Sequence, residues 1–288
     1  MRYVTYEKNG EPRLGALSGD EIVDIQTAMP GAPADMRALI AADADIQDKV
    51  AKAVGEGKGD RMSLADAHLL PPVTDPGKII CLGLNYADHA KEGGHEIPEY
   101  PALFLRTKSS LIGPNDPMIL PKCSEQLDWE AELVIVIGKR CRHVPKNDAA
   151  DVIYGYTVFN DGSIREYQRK SAQWTAGKNF DGTGSLGPCI VTADELPERA
   201  SGLSIQTRLN GTIMQNSNTE QMIFDAFRTV EILSEIMTLE PGDLIAMGTP
   251  SGVGHARRPQ VWMKDGDRVE VEIENIGLLS NPIKAEQI

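Results

Sequence analysis

Between Asp128 and Lys139 the chain reads DWEAELVIVIGK, and this stretch leaves few folds open. Its second half, LVIVIG, is apolar at every position before the glycine. As a strand it has no face for water and must lie between two packed layers. Its first half carries charge. Successive strand residues point to opposite faces, so Glu130 and Glu132 share one side while Trp129, Ala131 and Leu133 share the other. A buried ionised carboxylate is costly unless a cation compensates it, and two of like sign side by side favour a divalent ion. Carboxylate oxygens suit Mg2+, Mn2+ or Ca2+ better than Zn2+. The plainer alternative is a strand that enters from the surface with both Glu hydrated.

At 288 residues the chain has room for one large domain and a smaller appendage. Its 42 acidic and 29 basic side chains give a net charge of -13, which repels phosphate backbones and anionic membranes. No nucleic-acid or membrane partner is expected. The opening MRYVTYEKNG is polar and no run reaches the length of a membrane span, so a soluble cytoplasmic chain without a secretory signal is expected. Cys81, Cys123, Cys141 and Cys189 form no C-x-x-C pair and are expected to be reduced thiols.

Asn9-Gly10, between short alternating runs, predicts a hairpin within a small meander from Arg2 to about Thr27. Leu39, Ile40, Ile46, Val50 and Val54 fall at helical spacings and predict one or two helices over residues 34–55. The Pro-rich turn from Leu70 to Gly77 is the expected boundary between an N-terminal unit, residues 1–70, and the main domain, residues 71–288. Beyond it, KIICLGLN predicts a buried strand leading to His89 and Glu92, three apart and so neighbours on a helix. A carboxylate beside an imidazole raises its basicity, as a general base requires; an ordinary surface ion pair has the same spacing. Gly93, Gly94, Pro98 and Pro101 predict a mobile lid over roughly Lys91 to Tyr100.

DVIYGYTVFND predicts a strand ending on Asp161, placed either to join a site or to cap the helix SIREYQRK. Arg106 and Lys108 read as exposed charges near a strand end, and glycine-flanked Lys178 is free to face solvent or a ligand. Residues 182–187 spell G-x-G-x-x-G, but no strand precedes them and Pro188 with a further strand follows, so this is no dinucleotide site. Asn210-Gly211 predicts a second hairpin. Thr219 to Thr238 predicts a helix that buries Ile223, Phe224, Phe227, Val230, Ile232, Leu233, Ile236 and Met237. The glycine-rich turn from Gly248 to Gly254 lacks the G-K-[ST] of a phosphate-binding loop.

Taken together and in this order, GLNYADHA, DWEAELVIVIGK, YTVFNDGSIREYQ, AGKNFDGTGSLGP, TRLNG, TLEPGDLIAMGTPSGVG and VEVEIENIG resemble the fumarylacetoacetate hydrolase superfamily over roughly residues 78–283. The resemblance implies an α+β, mainly β fold, a mixed β-sandwich roll preceded by a small α+β appendage. It implies a metal, usually Mg2+, on Glu130, Glu132 and Asp161, and a water-activating pair in His89 and Glu92. Lys178 takes the family's catalytic lysine position, and Arg106, Arg165, Gln168 and Thr249 fall where relatives contact substrate. Asp88 matches a residue that ligates metal or orients water in some members. A homodimer acting on a small keto acid is also implied.

The implied chemistry is hydrolysis of a carbon-carbon bond in a 1,3-dicarbonyl acid, an acylpyruvate or 2,4-diketo acid. The metal would stabilise the departing enolate, His89 would activate water, and Lys178 would neutralise developing charge. Alternatives within the same family are decarboxylation of a β-keto acid such as oxaloacetate, and hydration or isomerisation of an unsaturated 2-oxo diacid. A silent metal-binding scaffold is the alternative of another class. Relatives read N-D-V-S-A-R-D where this chain reads NDGSIRE, so Gly162 and Ile164 are expected to reshape the pocket.

Overall fold

The computed structural model describes every residue except Gly93, His95 and Ile288. The apolar strand Ala131–Ile137 runs through the middle of a 12-stranded mixed sheet. Antiparallel Ile153–Asp161 flanks it on one side and Leu244–Ala246 on the other, followed by Ile79–Gly83 and, at the edge, Ala102–Arg106. All seven residues of Ala131–Ile137 are buried, as a strand with no polar face requires. Leu133, Ile135 and Ile137 pack in one apolar layer with Val230 and Leu233 of the helix Ala226–Ile236 and with Val271 and Leu279 of a second sheet. Val134 and Val136 pack in the opposite layer with Phe159, Leu186, Leu39 and Ile40.

The second sheet has five strands, in the order Thr212–Asn218, Ser204–Leu209, Arg268–Ile273, Gly277–Ala285 and Met118–Leu120. The fold is thus α+β and mainly β, with two sheets stacked through a shared core. Both Asn-Gly pairs sit at two-residue hairpins: Asn9 and Gly10 have φ of 57° and 81°, Asn210 and Gly211 50° and 79°, the left-handed values that such turns need.

The N-terminal meander of Arg2–Lys8, Glu11–Ser18 and Glu21–Asp24 extends the large sheet, because Arg2–Lys8 pairs with Gly184–Thr192. Leu69–Leu70 pairs with the same strand, so the division at residue 70 falls within one hydrogen-bonded sheet. The helices Met36–Ala41 and Ala44–Gly55 start where Asp35 and Asp43 accept the N–H groups of Ala38 and Ile46.

Two helices differ from expectation. The helix expected from Thr219 starts at Ala226, capped by Asp225, and Ile236 ends up 46% exposed. Upstream, Asn85 accepts the N–H of Ile223 on its carbonyl and that of Phe224 on its side chain, which removes those donors from any helix; Thr219–Gln221 forms a separate turn. In SIREYQRK only Arg165–Gln168 is helical, and Asp161 does not cap it because its carboxylate is bonded elsewhere. No helix of the described residues is long and apolar enough to cross a membrane.

Candidate active site

Sheet register brings the acidic residues together. Glu130 immediately precedes the strand Ala131–Ile137 and Glu132 is its second residue; Asp161 ends the neighbouring strand, where its N–H donates to the Glu130 carbonyl at 2.9 Å. With Ala131 opposite Asn160 and Glu132 opposite Phe159, one oxygen from each carboxylate lies within 4.8 Å of the others. Exposures of 5% for Glu130, 1% for Glu132 and 0% for Asp161 remove the hydrated-surface alternative.

The three carboxylates have unequal partners. Buried Lys178 places Nζ 2.5 Å from Glu130 Oε2 and 2.6 Å from Asp161 Oδ2. Arg165 Nη2 lies 2.7 Å from Glu130 Oε1, and Arg106 Nη1 lies 2.5 Å from Asp161 Oδ1. Glu132 receives the N–H of Gly248 at 3.0 Å. Burial alone would raise Glu130, yet Lys178 and Arg165 outweigh it and hold this carboxyl down to about 2. Burial, then the charges of Asp161 and Glu130, push Glu132 well above the usual carboxylate range. Burial also works against the Lys178 ammonium, but Asp161 and Glu130 keep it above its ordinary value. A divalent cation among these hard oxygens would satisfy the lone pairs of Glu132 that no donor reaches. The donor set fits Mg2+ or Mn2+.

A cavity of about 440 Å3 opens over the triad, and Glu130, Glu132, His89, Lys178, Gln168 and Thr249 line it together with Arg165. Gln168 accepts from Arg165 Nη1 at 2.8 Å, and the Thr249 hydroxyl accepts from Gln215 Nε2 at 2.8 Å. Arg106 is not on this wall. It is buried behind Asp161, with its donors taken by Ser110, Asp161, the Gly162 carbonyl and Thr183, so its expected substrate contact is replaced by a grip on a carboxylate. Gly162 belongs to the same arrangement: a Cβ there would lie 2.1 Å from the Thr183 carbonyl oxygen. Neither Gly162 nor Ile164, both buried, lines the cavity, so the expected change of pocket shape does not arise from them.

The helix Ala87–Glu92 carries His89 onto the cavity wall. Nδ1 of His89 lies 3.5 Å from Glu92 Oε2, short of a hydrogen bond, and is buried without a partner among the described residues. Both Glu92 oxygens instead accept the N–H of Gly252, at 3.0 and 3.1 Å. Asp88 stands apart from the grouped oxygens: it accepts the Ser251 hydroxyl at 2.6 Å and the His89 N–H at 2.8 Å. Of the expected lid, Gly93 and His95 lie outside the described residues; Gly94 has φ of 76°, and Ile97 and Tyr100 are exposed.

Sequence reasoning gave Asp128 no role, although it opens the same motif. It is fully buried and accepts from Arg165 Nε at 2.8 Å, Gly254 N–H at 2.7 Å and His255 N–H at 2.9 Å, tying the triad's arginine to the glycine-rich turn. Leu84, on the cavity wall, takes φ of 58°, unusual for a bulky side chain. The next residue, Asn85, holds that turn through bonds to Phe224 and Met247. Trp174 stands over Gly83, where a Cβ would meet its ring at 2.1 Å. The glycine in GLNY was the available sign of that close approach.

Residues 78–284 match the family described as Fumarylacetoacetate (FAA) hydrolase C-terminal. An oxaloacetate tautomerase of Xenopus laevis, fahd2, mitochondrial, is 40% identical over 289 residues, covering 98% of this chain and 90% of that protein. Fumarylacetoacetate hydrolase from Exiguobacterium antarcticum superposes with a TM-score of 0.83 at 34% identity, over 99% of this chain and 100% of that one. Maleylpyruvate hydrolase from Sphingobium sp. SYK-6, solved with manganese (II) and pyruvate, gives a TM-score of 0.84 at 34% identity over 100% of both chains. This chain belongs to the fumarylacetoacetate hydrolase family.

Proposed function

We propose that the chain is a divalent-metal-dependent enzyme that interconverts the enol and keto forms of a 2-oxo acid of the oxaloacetate type. One observation carries this reading: His89 lies on the wall of the triad's cavity with its buried Nδ1 unpartnered, while Glu92 is held by Gly252. An imidazole not locked into a dyad is suited to take and return a proton. The full-length similarity to a protein named oxaloacetate tautomerase supports the choice.

Glu130, Glu132 and Asp161 would hold Mg2+ or Mn2+, which when bound supplies Lewis-acid polarisation of the substrate's oxygens. The remaining work falls to the chain. Arg165 and Lys178 keep Glu130 ionised, and Arg106 and Lys178 fix Asp161, so the carboxylates stay oriented. The buried Lys178 ammonium favours negative charge that develops on the substrate as a carbon-bound proton leaves. His89 turns Nδ1 toward Glu92, which leaves Nε2 to accept that proton and deliver it to the other position.

The second reading is hydrolysis of an acylpyruvate or 2,4-diketo acid. What favours it is the 3.5 Å separation of His89 and Glu92, since a small rotation would pair them to activate water. Two assays separate the readings: ultraviolet absorbance of the oxaloacetate enol, and NMR of products from acylpyruvates, each with Mg2+ or Mn2+. Faster enol decay that chelation abolishes is the expected result. Unchanged enol decay with carboxylic acid and pyruvate released from acylpyruvates would make hydrolysis the function.

A further inference from the structure

The cations around the triad are already engaged. Lys178 is bonded to Glu130 and Asp161, Arg165 to Asp128 and Glu130, and Arg106 to Asp161. These three cations face four buried carboxylates, Asp128, Glu130, Glu132 and Asp161, which leaves one surplus negative charge once Glu132 is ionised to hold a metal. A divalent ion turns that into one surplus positive charge, enough for one carboxylate of a substrate. A keto diacid brings two.

Arg169 lines the same cavity, and its guanidinium, among the described residues, makes no hydrogen bond or ion pair, its backbone N–H alone bonding to the Tyr167 carbonyl. Partial desolvation at the cavity and the like charge of Arg165 lower its pKa, a penalty that an anion beside it would remove. His255 lines the cavity as well. Its ring stacks on Trp262 with centroids 6.3 Å apart, and Gln260 Nε2 lies 3.0 Å from its Nδ1. An amide donor at Nδ1 puts the ring's own proton on Nε2. Burial, then Arg169 and Arg165, push His255 down to about 4, so the ring is neutral and keeps Nε2–H as a donor.

We infer that Arg169, with His255 beside it, forms a specificity subsite for the second carboxylate of a 2-oxo diacid whose 2-oxo carboxylate end lies over the triad. This rests on the function proposed above. It adds a reason for the cavity to prefer diacids over 2-oxo acids with an apolar tail: Arg169 is the lining cation not already paired with a carboxylate. A guanidinium offers two parallel N–H donors to such a group.

The test is calorimetric binding to Mn2+-loaded protein of 2-oxoglutarate and 2-oxopentanoate, which match in length and differ only in the terminal carboxylate. Oxalate serves as a ligand for the triad end alone. Replacing Arg169→Gln should weaken 2-oxoglutarate by about 10- to 100-fold, the range for a charge-assisted hydrogen bond, and leave 2-oxopentanoate and oxalate within about twofold. Arg169→Lys should recover part of the loss, and His255→Leu should produce a smaller one. Arg169 is exposed at the cavity mouth, so these variants should melt with the parent. Equal loss for both oxo acids, or none for either, would overturn the subsite while oxalate binding left the proposed function standing. Failure of the parent protein to bind oxalate with metal present would overturn both.

Discussion

The carboxylate triad and the helix that carries His89 meet at one cavity, which Glu130, Glu132 and His89 line, but they are held in opposite ways. Glu130, Glu132 and Asp161 are set by the pairing of two central strands, and three buried cations grip Glu130 and Asp161 while Glu132 takes the N–H of Gly248. The helix Ala87–Glu92 has six residues and reaches the glycine-rich turn through Asp88 to Ser251 and Glu92 to Gly252. Binding of a cation asks for fixed oxygens, whereas proton transfer asks for a ring that can adjust. On the function proposed above, the half that holds the cation belongs to the core and the half that moves the proton to its rim.

The sharpest way to break this contrast is at the triad. Chelation, or Glu132→Ala, should bring turnover down to the buffer background, and added Mg2+ or Mn2+ should restore the chelated parent but not the variant. Asp161→Ala should do more: it leaves Arg106 and Lys178 buried without their shared carboxylate and should cost about 3–5 kcal/mol in denaturant unfolding. Full activity in metal-free protein, or an Asp161→Ala fold as stable as the parent, would refute this division of labour. At the rim, His89→Ala should lower turnover by about 10²- to 10⁴-fold, the usual worth of a general base, with metal affinity and melting temperature nearly unchanged. A loss of metal affinity in that variant would make His89 a ligand.

The triad's titration gives a second, smaller test. Glu132 is raised when folded, so its protonation contributes stability that is complete below the usual value of 4.5 and is lost as pH rises through the folded value. Glu130, held at about 2, behaves oppositely: its contribution is present above 4.5 and lost as pH falls from there toward 2. Metal binding requires Glu132 ionised and should therefore stabilise more as pH rises. The thermal shift caused by Mg2+ should grow as pH rises above the usual 4.5, by about 2–4 °C for each kcal/mol gained. A shift independent of pH would place Glu132 outside the metal's shell.

What was legible in the chain follows the same boundary between core and rim. Strand alternation is a local rule, so Glu130 and Glu132 could be put on one face, and LVIVIG between two layers, from a dozen residues. Asp161 was visible as a strand-terminal carboxylate, but only the family's motifs made it a ligand. Arg106 read as an exposed charge because its acceptors at Gly162 and Thr183 lie 56 and 77 residues away. The helix start at Ala226 was hidden for a similar reason: Asn85, 139 residues from Phe224, takes the donors that helical periodicity assigned to the first turn. Arg169 and His255 carry no periodic signal, since a cavity wall is assembled from segments whose local patterns say nothing of each other.

The smallest effect is expected just beyond His89. Gly94 has φ of 76° and no atom within 4 Å of the place where a Cβ would stand, so Gly94→Ala meets no neighbour and acts only through the backbone. A left-handed alanine costs about 1–2 kcal/mol. In a rigid surface turn that cost would appear in full as lost global stability. In a segment that opens without unfolding the sheets, it enters the local equilibrium alone, and the melting temperature stays put. If the segment from residue 91 to residue 100 closes over substrate, the variant should then raise KM or lower kcat by a few-fold while unfolding like the parent. Hydrogen exchange of its amides should slow when oxalate and Mn2+ are added to the parent protein, and slow less in Gly94→Ala. Equally slow exchange with and without oxalate would make the segment a fixed turn, and the adjustable half of the site would shrink to the single helix that carries His89.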